Sequence, residues 1–364
     1  MSSFERKPTL AEVMALPKAL LHDHVDGGLR PKTIIEIADD IGYDKLPTRE
    51  PEKLAEWFQE SCNSGSLVRY LETFDHTIAV MQRREDLIRV ARECVVDLAR
   101  DGVVYAEVRG APELFTTQGL SIDQVVEATL EGYRQGMEAA AREGKAIRVE
   151  SILCALRQND HDRETARAVV KYRGQGVVGF DIAGPEDGFP PTKQLQTFEY
   201  LRRESAHFTI HAGEACGLPS IREAIQYCGA ERLGHGVRII EDIDFSTPEP
   251  TFGHLAAYIR DRRIPLEICP TSNIQTGISA TLKEHPIGKL SQLRFRVTVN
   301  TDNRLMSRTS LSNEIYQLIE TFDWTFADVQ RVTVNALKSA FIPFEERLAM
   351  IEEIIKPGFL KVAG

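Results

Sequence analysis

The stretch ALLHDHVDGG, Ala19 to Gly28, decides how this chain is read. An apolar run ends in two histidines two residues apart, and two glycines close it. Side chains two apart on a strand share a face, so His22 and His24 project together from a strand end and can chelate one ion. The layout recurs. FTIHAGE places His211 at the end of a second run with Glu214 three residues on, RLGHGVR sets His235 between glycines, and FRVTVNTDNR closes on Asp302.

Working outward, eight short β-branched runs alternate with longer amphipathic ones. They cover 19–24, 103–109, 147–156, 177–183, 208–211, 232–236, 265–270 and 295–301. That alternation predicts parallel strands buried by helices. The helices have readable ends: Ser121 and Gln124 form a capping box, and Pro31 opens a helix that stops at Gly42. The sum is a (β/α)8 barrel, which gathers the ends of strands one, five, six and eight around one mouth. Four clusters of metal-binding and proton-moving residues at those ends therefore predict a single catalytic metal.

About 78 residues separate His24 from Val103, more than one loop and one helix require. The chain is expected to be one domain spanning 1–364, with extra helices around 45–100 that emerge beside the mouth as a lid. Trp57, Phe58, Leu67 and Phe74 either cover the pocket or form the lid's own core. The segment from Ser310 to Lys361 reads as helical, without a linker to a second domain.

The chemistry divides by residue type. His211 offers a third nitrogen ligand, while Glu214, displaced along the loop, faces the substrate. His235 is suited to orienting or deprotonating a water. Asp302 adds an oxygen ligand and accepts a hydrogen bond from the bound water, or else caps the following helix. His207 starts the strand that His211 ends; at about 3.3 Å per residue it lies roughly 13 Å away and is structural.

Composition excludes other classes. At 42% hydrophobic and 27% charged, the 364 residues suit an ordinary globular protein. A net charge of -10 argues against nucleic acid as a partner. No run reaches the roughly 20 apolar residues of a membrane helix and no leader is seen, so a cytoplasmic location without membrane contact is expected. The six cysteines form no C-x-x-C pair and read as packing, with Cys216, just past HAGE, the exception to watch.

With these residues on view, the chain resembles the adenosine deaminase family of metal-dependent amidohydrolases. The resemblance rests on H-x-H-x-D-G, D-x-A-G, T-x-H-A-G-E, R-x-G-H-G and N-T-D in order, from Leu21 to about Phe341, with GVVYAEVRGAPELF and CPTSNIQTG also matching. It implies one Zn2+ per subunit held by His22, His24, His211 and Asp302. Glu214 would protonate the purine nitrogen beside the attacked carbon, and His235 would orient the water and assist its deprotonation. It further implies substrate contacts from His24, from Asp26 at the ribose end, from the Gly184 backbone N–H to a ring nitrogen, and from position 303. By residue type alone, Gly184 reads rather as an ordinary turn glycine.

The implied reaction converts adenosine or 2'-deoxyadenosine to the inosine product plus ammonia, a purine salvage step on a small-molecule nucleoside. Two departures stand out: Val25 replaces the family's leucine, and Asn303 replaces the second aspartate of T-D-D. An amide still donates a hydrogen bond to a purine but removes one negative charge. Deamination of adenine or a modified adenine nucleoside is the alternative substrate reading, and a nucleoside-binding homologue without turnover is the other. Oligomeric state is not legible.

Overall fold

The computed structural model describes residues 3–63 and 67–364. Strands β1 (Lys18–His24), β2 (Val103–Gly110), β3 (Arg148–Leu156) and β4 (Val177–Ala183) form one parallel four-stranded sheet. Strands β5 (Thr209–Ala212), β6 (Arg232–His235), β7 (Leu266–Ile268) and β8 (Val297–Val299) form another. Two single bridges join them: Phe180 with Phe208, and Asp23 with Asp302. The result is a closed (β/α)8 barrel. At the second seam His24 N donates to Asp302 O at 2.9 Å and Asp302 N to His22 O at 3.0 Å, so the backbone bonds that close the barrel run through the metal-binding candidates.

The expected ends hold where local chemistry fixes them. Ser121 accepts from Gln124 N in a complete capping box that opens the helix Ile122–Arg142, and Gly42 ends Pro31–Ile41 in the left-handed region. The seventh run is shorter than expected. Pro270, which cannot donate to a sheet ladder, instead takes the first turn of the helix Pro270–Gln275. Two strands of two residues each, Ile243–Asp244 and Thr251–Phe252, form an antiparallel pair that sequence periodicity is too short to reveal.

Between β1 and β2 stand α1 (Pro31–Ile41), α2 (Pro51–Cys62), α3 (Leu67–Ala79) and α4 (Arg84–Arg100). Phe58 is fully buried, and Trp57, His76 and Tyr43 cluster about it with ring centroids 5.2–6.4 Å apart. Phe58 is thus core for the insert itself; the side chain of Leu67 and residues 64–66 lie outside the described residues. The segment 311–363 is helical throughout its main elements. No helix among the described residues is long and apolar enough to cross a membrane.

Candidate active site

His22 and His24 leave β1 on one face, and their rings lie 5.3 Å apart. The His211 ring, at the end of β5, is 4.6 Å from that of His22 and 5.5 Å from that of His24. Asp302 follows β8 and brings Oδ1 to 3.4 Å from Nε2 of both His22 and His24. Donor atoms of His22, His24 and His211 all fall within 4.8 Å of one another, as do those of His22, His235 and Asp302. A separation near 3.4 Å is what adjacent donors show around an ion with bonds of about 2.0–2.2 Å. His22 Nε2 is buried and makes no hydrogen bond. A bare imidazole nitrogen facing two more imidazoles and a carboxylate fits a divalent metal, so the cluster is a possible metal site.

The rings of His22, His211 and His235 are held from behind. Glu267 Oε2 lies 3.0 Å from His22 Nδ1, and Asp181 Oδ2 lies 2.8 Å from His211 Nδ1, which leaves the Nε2 atoms for the mouth. Ser272 Oγ donates to Asp302 Oδ2 at 2.6 Å, and the Asn273 amide meets His235 Nδ1 at 3.1 Å. Asp302 therefore does not cap the next helix; Asn303 occupies that N-cap position. His235 and Asp302 both have left-handed backbones, φ 60° and 58°, unusual for non-glycine residues and costing on the order of 1–3 kcal/mol each.

Under the rings lies a charged layer that the sequence reading passed over. Arg109 spans Asp181 at 2.6 Å and Glu267 at 2.8 Å, while Arg232 spans Glu107 at 2.6 Å and Glu267 at 2.7 Å. All five side chains are buried. The signal was present in A-E-V-R, F-D-I-A and L-E-I, where a charge interrupts a run otherwise suited to a barrel interior.

Glu214 stands on the rim with Oε2 3.5 Å from His235 Nε2. Although 22% of its side chain is accessible from the mouth, the surrounding protein desolvates its carboxyl, and Asp302 and Glu186 add repulsion, pushing its pKa up to about 8. Burial also keeps His24 and His235 well below the ordinary histidine pKa, hence neutral. Glu186 fixes the Glu214 loop by accepting from Gly213 N at 2.7 Å, Glu214 N at 3.2 Å and Cys216 N at 2.8 Å. Cys216 is free and half-buried, and burial raises its thiol pKa, which does not mark a nucleophile.

The residues expected to meet a substrate follow the C-terminal ends of barrel strands. Asp26 is buried after β1, and desolvation pushes its carboxyl up to about 6. Gly184, exposed just past β4, has φ 93°, and a Cβ there would fall 2.4 Å from Gln158 Oε1. Asn303 is buried against Gly27, where a Cβ would sit 2.0 Å from its Oδ1. His207 is remote from the cluster: it is exposed, 2.8 Å from Glu231 and stacked on Phe341.

A family model described as adenosine deaminase matches residues 17–357. The adenosine deaminase of Mycolicibacterium gilvum is 57% identical over 357 residues, covering 98% of this chain and 99% of the relative. Among solved structures, the N6-mAMP deaminase of Arabidopsis superposes with a TM-score of 0.80 at 25% identity, covering 96% of this chain and 99% of that one. An amidohydrolase from Burkhoderia ambifaria with bound Zn superposes at 0.81 with 23% identity, covering 100% and 98% of the two chains.

Proposed function

The chain belongs to the adenosine deaminase family, and we propose that it hydrolyses the 6-amino group of adenosine and 2'-deoxyadenosine, giving inosine or 2'-deoxyinosine and ammonia, with one zinc ion per subunit. The observation that carries this reading is the convergence of three histidines, one with a bare buried nitrogen, and Asp302 beside a carboxyl whose pKa is raised to about 8.

His22, His24, His211 and Asp302 would hold the ion. When bound, zinc lowers the pKa of a coordinated water to about 7 and so supplies a nucleophile at neutral pH. Glu214 is protonated at that pH and donates its proton to the purine nitrogen next to C6, which makes the carbon more electrophilic. His235, neutral and held at Nδ1 by Asn273, directs Nε2 toward the same volume and orients the attacking water. Asp26 takes the ribose hydroxyl end, and the Gly184 N–H and Asn303 amide take ring nitrogens. The insert of residues 45–100 serves as a lid: α3 packs against the turn Val25–Gly27, α2 against the helix Arg304–Ser307, and Gln275 Nε2 donates to Asn63 Oδ1 at 2.9 Å. Asn63→Ala should raise KM with kcat unchanged; an unchanged KM removes the lid role.

Turnover of adenosine, 2'-deoxyadenosine, adenine and N6-methyladenosine, followed by ultraviolet absorbance with and without a chelator, tests the proposal. Chelator-sensitive turnover led by the two nucleosides is expected. A lead for N6-methyladenosine or adenine would favour the second reading, for which Asn303 in place of aspartate is the specific ground. Binding without turnover would overturn the enzymatic assignment.

A further inference from the structure

On the face opposite the mouth, a cavity of about 510 Å³ opens among the residues that precede the second set of strands. His207 precedes β5, Glu231 precedes β6, Pro265 precedes β7 and Arg296 precedes β8, so the cavity lies at the strands' N-terminal ends. Its walls carry six cations in a chain whose net charge is -10: Arg232, which pairs inward with Glu107 and Glu267, and five others, Arg262, Arg263, Arg296, Lys338 and Arg347. Glu231 is the one carboxylate in the lining, and it is engaged with His207 at 2.8 Å.

Half-buried arginines elsewhere in the molecule meet acids: Arg30 pairs with Asp97, Arg83 with Asp86 and Arg89 with Glu93. Among the described residues none of the five cavity cations other than Arg232 does. Arg263 donates to Arg294 O, and Arg347 donates to Lys338 O at 2.9 Å. The Nε atoms of Arg296 and Arg347 are buried and make no hydrogen bond. Burial, followed by the charges of Arg263 and Arg347, holds the Arg296 guanidinium below its ordinary pKa. Like charges turned into one concavity repel, and their unused N–H groups lose water without compensation. An anion at the centre would relieve both costs, and the planar guanidinium fork matches phosphate oxygens.

We propose that this cavity binds a phosphate group through Arg263, Arg296 and Arg347, with Arg262 and Lys338 at its edge. The volume falls within the range that accommodates small organic ligands, so the phosphate is either free or carried by a nucleotide.

Titration calorimetry of the metal-loaded full chain at fixed ionic strength, with inorganic phosphate, pyrophosphate and uridine monophosphate as probes, tests this. Uridine monophosphate carries no purine that could enter the mouth. Saturable one-to-one binding is expected for the unaltered chain and for the surface control Lys171→Gln. It should weaken at least tenfold in Arg263→Gln/Arg296→Gln, and the tightest probe then separates a free from a nucleotide phosphate. In phosphate-free buffer the double variant should turn over nucleoside normally and unfold at no lower temperature, because repulsion has been removed. Saturating phosphate should raise the unfolding temperature of the unaltered chain by a few degrees and leave the variant's unmoved. If the double variant fails to fold, Lys338→Gln, an exposed change, should still weaken binding several-fold. No saturable binding of any probe, or equal binding by the variants, overturns the proposal.

Discussion

The mouth of the barrel and its interior both concentrate charge, but only the interior neutralises it by pairing buried arginines with buried acids. Inside, Glu107, Arg109, Asp181, Arg232 and Glu267 lie entirely within the protein and are cross-paired, with Glu267 alone serving two arginines and a histidine. At the mouth, His22 keeps a bare nitrogen, Glu214 holds its proton near neutrality, and His235 and Asp302 sit on left-handed backbones. The contrast teaches a division of labour: the groups at the mouth keep their direction because an ion-paired layer beneath holds the rings from behind.

Breaking the mouth should abolish chemistry while leaving the fold. His22→Ala is expected to lower turnover by about 10³-fold or more, since metal assistance contributes several kcal/mol. Metal content and turnover measured together check it, and a variant that keeps both would remove His22 from the site. Breaking the interior should do the reverse. Arg109→Met leaves Asp181 and Glu267 buried with one partner fewer, and a loss of about 3–5 kcal/mol of stability is expected by denaturant unfolding. A near-wild-type transition would show that the layer is not structural.

The boundary between the two regions is Glu267. Glu267→Gln keeps the shape but weakens its hold on His22, and metal affinity should drop about 10–100-fold in a competition titration. The smallest effect belongs to Asn303→Asp, which restores a carboxylate at the family's usual position. A few-fold shift in preference among adenosine, 2'-deoxyadenosine and adenine is expected, and identical profiles would take Asn303 out of substrate choice.

These regions also differed in legibility. The mouth could be read because its residues obey a positional rule, each ending an apolar run, and the barrel supplies the convergence. The interior could not. A charge inside a strand announces that it needs a partner, but Arg109 finds Asp181 72 residues away and Glu267 158 residues away, and no local pattern names either. The left-handed backbones at His235 and Asp302 were hidden for another reason: His and Asp enter that region more often than other non-glycine residues, yet too rarely for residue type to single out these two. The extra helices were foreseen from the long gap after His24, whereas the role of Phe58 as their core required the packing itself. Pro270 shows the limit of apolar runs, since it extends one in sequence while ending the strand in space.

The most direct measurement is the kinetics of Glu214→Gln with bound metal determined on the same sample. A kcat reduced about 10²–10⁴-fold with stoichiometric metal is expected, because the amide cannot give up a proton to the ring. The raised pKa fixes the sign of the accompanying pH dependence: the protonated carboxyl is present below about 8 and is lost as pH rises through that value, so the unaltered enzyme's rate falls on the alkaline side and that limb vanishes in the variant. Undiminished turnover in Glu214→Gln, with metal in place, would contradict the account.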